Sequence, residues 1–460
     1  MALIGARDSG DTAELPIGGL IAQTRARLKD GSDRSIAQRV AGSAFLIRVF
    51  SAALIYLLQI LLARWMGSSE FGVYVYIWTL LLLVGDVADL GLATAAQRFI
   101  PQYTKRHAFD LLRGYLTRGR WLAVGSATAI AIVGELVLYA LQSYVSDRLL
   151  IPLSIACLTL PLYSLMQVQD GIARSYNWIY VALLPTYILR HLAVLLTIAA
   201  AYLLNFPANA QTAIVAVAVA LIATAIGQTI VLNHRLSRAV TPGPAAYEVK
   251  TWYATSLPIL LVEGFYLLLT NTDILVMQMF RAPDDVALYY AAAKTLALIS
   301  FVHFAVSAAV AHRFSEYHVT KERARLKTIL RDSIRWTFWC SLATCVVVLA
   351  AGKPLLWLFG PSFVDGYHLM FILAIGLMAR ASVGPIERLL NMLGEQHACA
   401  TVYAIAFALN LMLCIILIPR IGVEGAAIST ATALVVESIL LFCVTKRRLG
   451  LHVFIWGDRL

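Results

Sequence analysis

Charge is scarce in this chain. Asp, Glu, Lys and Arg make up 14% of its 460 residues and apolar residues 60%, with a mean hydropathy of +0.76. So little polar surface cannot cover a soluble globule of this size, which excludes a water-soluble enzyme and fits helices sunk in lipid. Cysteines are few, at 157, 340, 345, 399, 414 and 443. No two have CxxC spacing, so they read as small packing residues rather than a zinc or redox site. There is no GxxxxGK[ST] loop to cradle a nucleotide phosphate, no HExxH and no GxSxG. The first 39 residues lack a compact apolar core followed by a small-residue cleavage site, and instead carry Arg7, Arg25, Arg27, Lys29, Arg34 and Arg39. They read as a retained polar tail. The basic residues form no single face interleaved with aromatics, which argues against a nucleic-acid partner.

What the chain has in abundance is apolar runs of membrane length. Spans of about 20 residues give an all-α, polytopic protein of about twelve helices. They fall roughly at 40–63, 72–97, 121–141, 149–169, 179–204, 212–233, 253–276, 286–311, 334–352, 367–391, 398–418 and 425–445. The implied organisation is a cytoplasmic tail at 1–39, a six-helix bundle at 40–233, a linker at 234–252, a second bundle at 253–445 and a basic tail at 446–460. Pro152, Pro161, Pro185, Pro258 and Pro385 fall inside spans, where each bends its helix and frees a carbonyl.

Basic residues set the orientation. About 28 of the 37 Lys and Arg lie in the tails and alternate gaps, against about five in the intervening gaps (Arg64, Arg148, Arg281, Lys353 and Arg420). This bias places both termini in the cytoplasm. The outer gaps are short, the longest being about Lys353 to Gly366, which leaves no outer domain for catalysis. The basic stretch Thr320–Arg335, with Leu326, Ile329, Leu330 and Ile334 on one side, reads either as an interfacial amphipathic helix or as loop charge.

The two halves echo one another. A shift of 215 positions lays Phe71–Tyr74 over Val286–Tyr289 and Arg98-Phe99 over Arg313-Phe314. In each half a tyrosine thus stands 24 residues before an Arg-Phe pair that opens a basic loop. Six helices per half put both copies in the membrane in the same direction, which implies a pseudo-two-fold along the membrane normal and alternating access between the bundles.

Four cations stand inside spans: Arg48, Arg190, Lys294 and Arg380. Ionisable groups at bilayer depth cost roughly 2.5–3.5 kcal/mol on insertion scales and mark functional sites by default, here suggesting an anionic cargo. Arg190 and Arg380, near the midplane by residue count, are the foremost candidates, since a guanidinium fork suits an oxyanion. Arg48 is equally accounted for by an ion pair with Asp86 or Asp89, which share a helical face at a similar depth. Lys294 is near enough to the outer end to snorkel or to pair with Asp273. Glu263 is a candidate for proton or cation coupling, while Asp273, Asn271, Asp86 and Asp89 are candidates for coupling or gating.

Several motifs resemble a known family. Ala63–Tyr74 (ARWMGSSEFGVY), Asp86–Leu92 (DVADLGL) and Arg98–Pro101 (RFIP) look like the first two helices of the polysaccharide and O-antigen (Wzx-type) flippases. These belong to the multidrug/oligosaccharidyl-lipid/polysaccharide (MOP) exporter superfamily. Thr270–Asp273 (TNTD) and Val286–Lys294 (VALYYAAAK) look like that family's seventh and eighth helices, and Ile418–Ser429 (IPRIGVEGAAIS) is similar to its eleventh-to-twelfth junction. The resemblance implies a bacterial inner-membrane flippase, not an enzyme. Its cargo would be polyprenyl-diphosphate-linked oligosaccharide for O-antigen, capsule or exopolysaccharide, with no bound cofactor and with membrane lipids, a polymerase and a chain-length regulator as partners. Two alternatives stay open: a multidrug exporter of the same superfamily, which favours carboxylates around an organic cation, and a membrane enzyme of polymer assembly, which needs a large outer loop. A scaffold protein leaves the buried cations unexplained.

Overall fold

A computed structural model describes residues 33–319 and 322–455, all of its regular elements helical. From Ile47 onward the chain forms one compact unit. Of the expected tail, residues 1–32 lie outside the described residues, and a helix begins at Asp33.

Among the described residues, eleven helical stretches are long and apolar enough to cross a membrane. The first, Phe45–Lys105, has 61 residues, about three times what one crossing needs. It is broken at Gly67, where φ is 79° and ψ 171°. A left-handed φ is open to glycine without a Cβ penalty, so one long apolar stretch folds back as two crossings. Among the described residues the crossings therefore number twelve, in line with the about twelve that the sequence implies. The helices are α1 (Asp33–Ala88), α2 (Leu92–Lys105), α3 (Phe109–Ala140), α4 (Asp147–Ser175), α5 (Ile179–Leu203) and α6 (Ala210–Ala239) in the first half. The second half has α7 (Val249–Phe280), α8 (Pro283–Leu296), α9 (Ser300–Val319), α10 (Arg323–Ala350), α11 (Gly352–Phe359), α12 (Tyr367–Val383), α13 (Ile386–Met392), α14 (Gln396–Ile421) and α15 (Val423–Leu449). In the first half α4 packs on α2, α3 and α6, and α5 on α6; in the second, α14 packs on α7 and α15, and α12 on α10 and α15.

Proline placement explains the local irregularities. Pro185 falls in a π-helical turn, Leu184–Leu189, inside α5. The expected span 367–391 is in fact two pieces, because α12 ends at Val383 and Pro385 precedes the short α13. The linker is shorter than 234–252, running only between Ala239 and Val249, and it is strapped to α3. Arg113 donates to Pro244 O at 2.7 Å and Thr241 O at 3.1 Å, and Ala246 N donates to Asp110 O at 2.9 Å. Of the basic tail, residues 456–460 lie outside the described residues, and the part before them is docked, since Leu451, Val453 and Ile455 are buried in alternation against Phe314, Leu326 and Leu330. That same cluster resolves the 320–335 stretch: Leu326, Leu330 and Ile334 bury into the second half, and α10 runs on into its span rather than lying apart as an interfacial helix.

Candidate functional site

One end of the bundle is sealed between the halves. Phe71 of α1 meets Tyr290 at 6.1 Å, Phe359 at 6.3 Å and Phe363 at 6.1 Å between ring centroids. Tyr56 adds an edge contact to Phe359 at 5.4 Å and a hydroxyl contact to Thr295 at 3.0 Å. Arg64 donates to Leu358 O at 2.7 Å and Trp357 O at 2.5 Å, and Ser68 donates to Asp284. Backbones touch at Gly72, where a Cβ would stand 1.8 Å from Pro283 O; only a residue without one allows that approach.

Toward the other end the halves part around a cavity of about 560 Å³, within the range of small-molecule sites. Asp86 lies 15 residues beyond Phe71 on α1, roughly 22 Å along the helix axis, so plug and cavity occupy different levels. The first half contributes Asp86, Asp89, Thr94 and Gln167, and the second Glu263, Tyr266, His303, Arg380, Glu387 and Arg388. Contacts between α2 and α7 close one flank, with Trp252 Nε1 donating to Tyr103 Oη at 2.9 Å and Thr94 Oγ1 to Glu263 Oε2 at 3.2 Å.

The four in-span cations have unlike environments, and their order is not the one that depth implies. Arg380 is held by Glu387 at 2.9 Å and Glu437 at 3.7 Å, with the Tyr266 hydroxyl at 3.4 Å. Two carboxylates on one guanidinium leave little positive field for a cargo. Arg190, 7% exposed, is packed inside the first half between the rings of Trp78 (5.5 Å) and Tyr163 (5.6 Å), and is not part of the cavity lining.

Arg48 does not pair with Asp86 or Asp89. Asp86 accepts from Tyr163 Oη and Gln167 Nε2, each at 2.8 Å, and Asp89 from the backbone N–H groups of Gly91 at 2.9 Å and Ala93 at 2.8 Å, so neither needs an arginine. The half-buried Arg48 guanidinium instead lies 5.3 Å from the Tyr187 ring and 4.6 Å from Phe304, a cavity-lining residue. Among the described residues it makes no ion pair. Lys294 lies 5.0 Å from the Tyr290 ring, exposed, within electrostatic reach of Asp273 but forming no ion pair among the described residues. Asp273 accepts from Tyr289, from Thr430 at 3.0 Å and from its neighbour's N–H at 2.9 Å. Asn271 donates to Leu267 O at 2.9 Å, one turn back on its own helix.

Glu387, in the short α13 outside the spans, shows what the cluster does electrostatically. Burial by itself raises its carboxyl, but the adjoining Arg380, the Tyr403 hydroxyl donating at 2.6 Å, and His303 and Arg388 outweigh that and hold it at about 2. Sequence reasoning missed Glu437, His303, Tyr266 and Tyr403. The first two were visible as lone polar residues in apolar runs; the tyrosines carried no distinguishing signal.

Two six-helix halves around a polar cavity, sealed at one end, define a polytopic transporter. The polysaccharide biosynthesis protein family model matches residues 39–318, more than half of the chain, and the MatE model matches residues 258–416. The chain belongs to the polysaccharide biosynthesis protein family. A probable low-salt glycan biosynthesis flippase, Agl15 of Haloferax volcanii, is 24% identical over 169 residues, a stretch covering 36% of this chain and 36% of that protein. The fold is similar to an inward-facing multidrug resistance MATE family transporter of the MOP superfamily, with TM-score 0.72, 14% identity, and coverage of 88% of this chain and 98% of that one. It is also similar to the lipid II flippase MurJ in an inward closed conformation, with TM-score 0.66, 14% identity and 87% of each chain covered.

Proposed function

We propose that the protein moves polyprenyl-diphosphate-linked oligosaccharide across a bacterial inner membrane for O-antigen, capsule or exopolysaccharide synthesis. The observation that carries this reading is the family match over residues 39–318, which spans the whole first half and, of the second, α7, the sealing helix α8 and nearly all of α9. The diphosphate and glycan of such a lipid cannot cross hydrocarbon unaided. A cavity between the bundles shelters the polar head while the lipid tail stays outside. The Lys and Arg bias puts the open end and both termini at the cytoplasm, so this conformation is the one that loads cargo. Arg48, beside the cavity-lining Phe304, within electrostatic reach of Asp170 but making no ion pair among the described residues, is the proposed diphosphate contact. Arg380 becomes a cavity strut and Arg190 an internal brace. An ion gradient is the proposed energy source, carried by Glu263 or Asp273, and a polymerase with its chain-length regulator the proposed consumer of the product.

Deleting the gene tests this directly: intact lipid-linked repeat units accumulate in the inner leaflet and surface polymer is lost. Normal arrival of precursor at the outer leaflet refutes the reading. A second reading, export of organic cations, draws support from one observation, namely that the lining has four carboxylates against two arginines. Under it, cells lacking the protein become sensitive to lipophilic cations while polymer synthesis is unchanged.

A further inference from the structure

Four polar atoms on one wall of the cavity have no hydrogen-bond partner among the described residues: both ring nitrogens of His303, Ser307 Oγ and Ser341 Oγ. Ser307 is 3% exposed and Ser341 1%, so both hydroxyls sit nearly covered in the cavity wall with no partner from the described residues. His303 and Ser307 are four residues apart on α9 and share a face, while Ser341 comes from α10, which packs against α9. Native interiors seldom leave such groups unmatched, and several unmatched on one wall point to a polar ligand. Tyr266 and Phe304 line the same cavity and offer ring faces.

The charges around this wall narrow the ligand further. Of the two lining arginines, Arg380 is shared between Glu387 and Glu437, and Arg388 lies 3.8 Å from Glu387. Asp86, Asp89 and Glu263, by contrast, make no ion pair among the described residues, and Glu263 is exposed. The lining is therefore net acidic, with no arginine left unshared.

We propose that the cavity selects a neutral, hydroxyl-rich sugar, held by His303, Ser307 and Ser341, and discriminates against sugars that carry a carboxylate. This rests on the flippase reading above and adds the class of glycan to it. A sugar hydroxyl both donates and accepts, so it satisfies a serine hydroxyl and an imidazole in either tautomer. A uronic acid in the same place meets like charges in a confined space with no unshared guanidinium among the lining residues to offset them, an arrangement that rejects wrong partners. The diphosphate is accommodated separately, by Arg48 across the ring of Phe304.

The test uses the full chain in proteoliposomes with two probes: polyprenyl diphosphate bearing a neutral disaccharide, and the same lipid with glucuronic acid replacing the second sugar. Translocation is read as protection of the sugar from a membrane-impermeant oxidant. The neutral lipid is expected to move at least about tenfold faster, and Glu263→Gln to narrow that gap. Ser307→Ala combined with Ser341→Ala is expected to slow the neutral lipid about tenfold at an unchanged melting temperature, the size expected for two lost hydrogen bonds. Equal rates for the two lipids, or a wild-type rate in the double serine variant, overturn the selectivity and leave the flippase reading standing. If neither lipid moves, both fall.

Discussion

Arg380 and Arg48 invite opposite experiments because one is paired and the other is not. Removing one partner from a buried ion-pair cluster leaves uncompensated charge and costs about 3–5 kcal/mol. Arg380→Ala, which strands Glu387 and the fully buried Glu437, should therefore lower the melting temperature in detergent and reduce yield. Arg48→Ala strands no carboxylate, so the protein should melt normally while lipid translocation falls about tenfold or more, the loss of one charge-assisted contact. Glu387 adds a pH signature. Its folded value of about 2 lies below its ordinary 4.5, so its contribution to stability is present above about pH 4.5 and lost as pH falls toward 2. Melting temperature followed over that window should drop, and Glu387→Gln should flatten the drop. None of this pairing was legible in the sequence. The spacing of Arg380, Glu387 and Glu437 is local to no single helix, and it takes the break at Gly384 and Pro385 to turn α13 back toward Arg380.

Helices α1, α8 and α11 form the sealed end, and their seal must open if cargo is to leave. The contact between Ser68 and Asp284 spans the two halves at that seal. Replacing both with cysteine and oxidising them should stop translocation, and reductant should restore it; transport that continues in the cross-linked protein argues against opening at this end. Gly72→Val places side-chain carbon against Pro283 O. It should disfavour the sealed conformation, read as greater labelling of a cysteine at Tyr290 from the outer side. The sequence located α1 and α8 well, since apolar length and basic flanks mark a span regardless of its neighbours, whereas α11 falls in what reads as an outer gap. It erred where a helix changes course within an apolar run, as at 367–391, because hydropathy does not register a bend.

At the scale of the molecule, the family and the twelve-crossing architecture are settled, while orientation is an expectation with a direct check. Reporter domains at the C-terminus should be active only in the cytoplasm. The repeat at a shift of 215 positions agrees with two halves that each supply one wall of the cavity. It says nothing of their separation, which is what makes the cavity.

Composition, span length and charge bias by themselves determined that this is a polytopic helical membrane protein with paired six-helix halves, because transfer of apolar and charged groups into lipid is governed residue by residue. Which cation is free was decided only by the tertiary structure. A guanidinium's field depends on what lies within a few ångströms, and those neighbours come from helices far apart in sequence. Arg380, conspicuous as a lone charge in its span, is matched by carboxylates from α13 and α15, whereas Arg48, given a carboxylate by depth and spacing, lies between two rings instead.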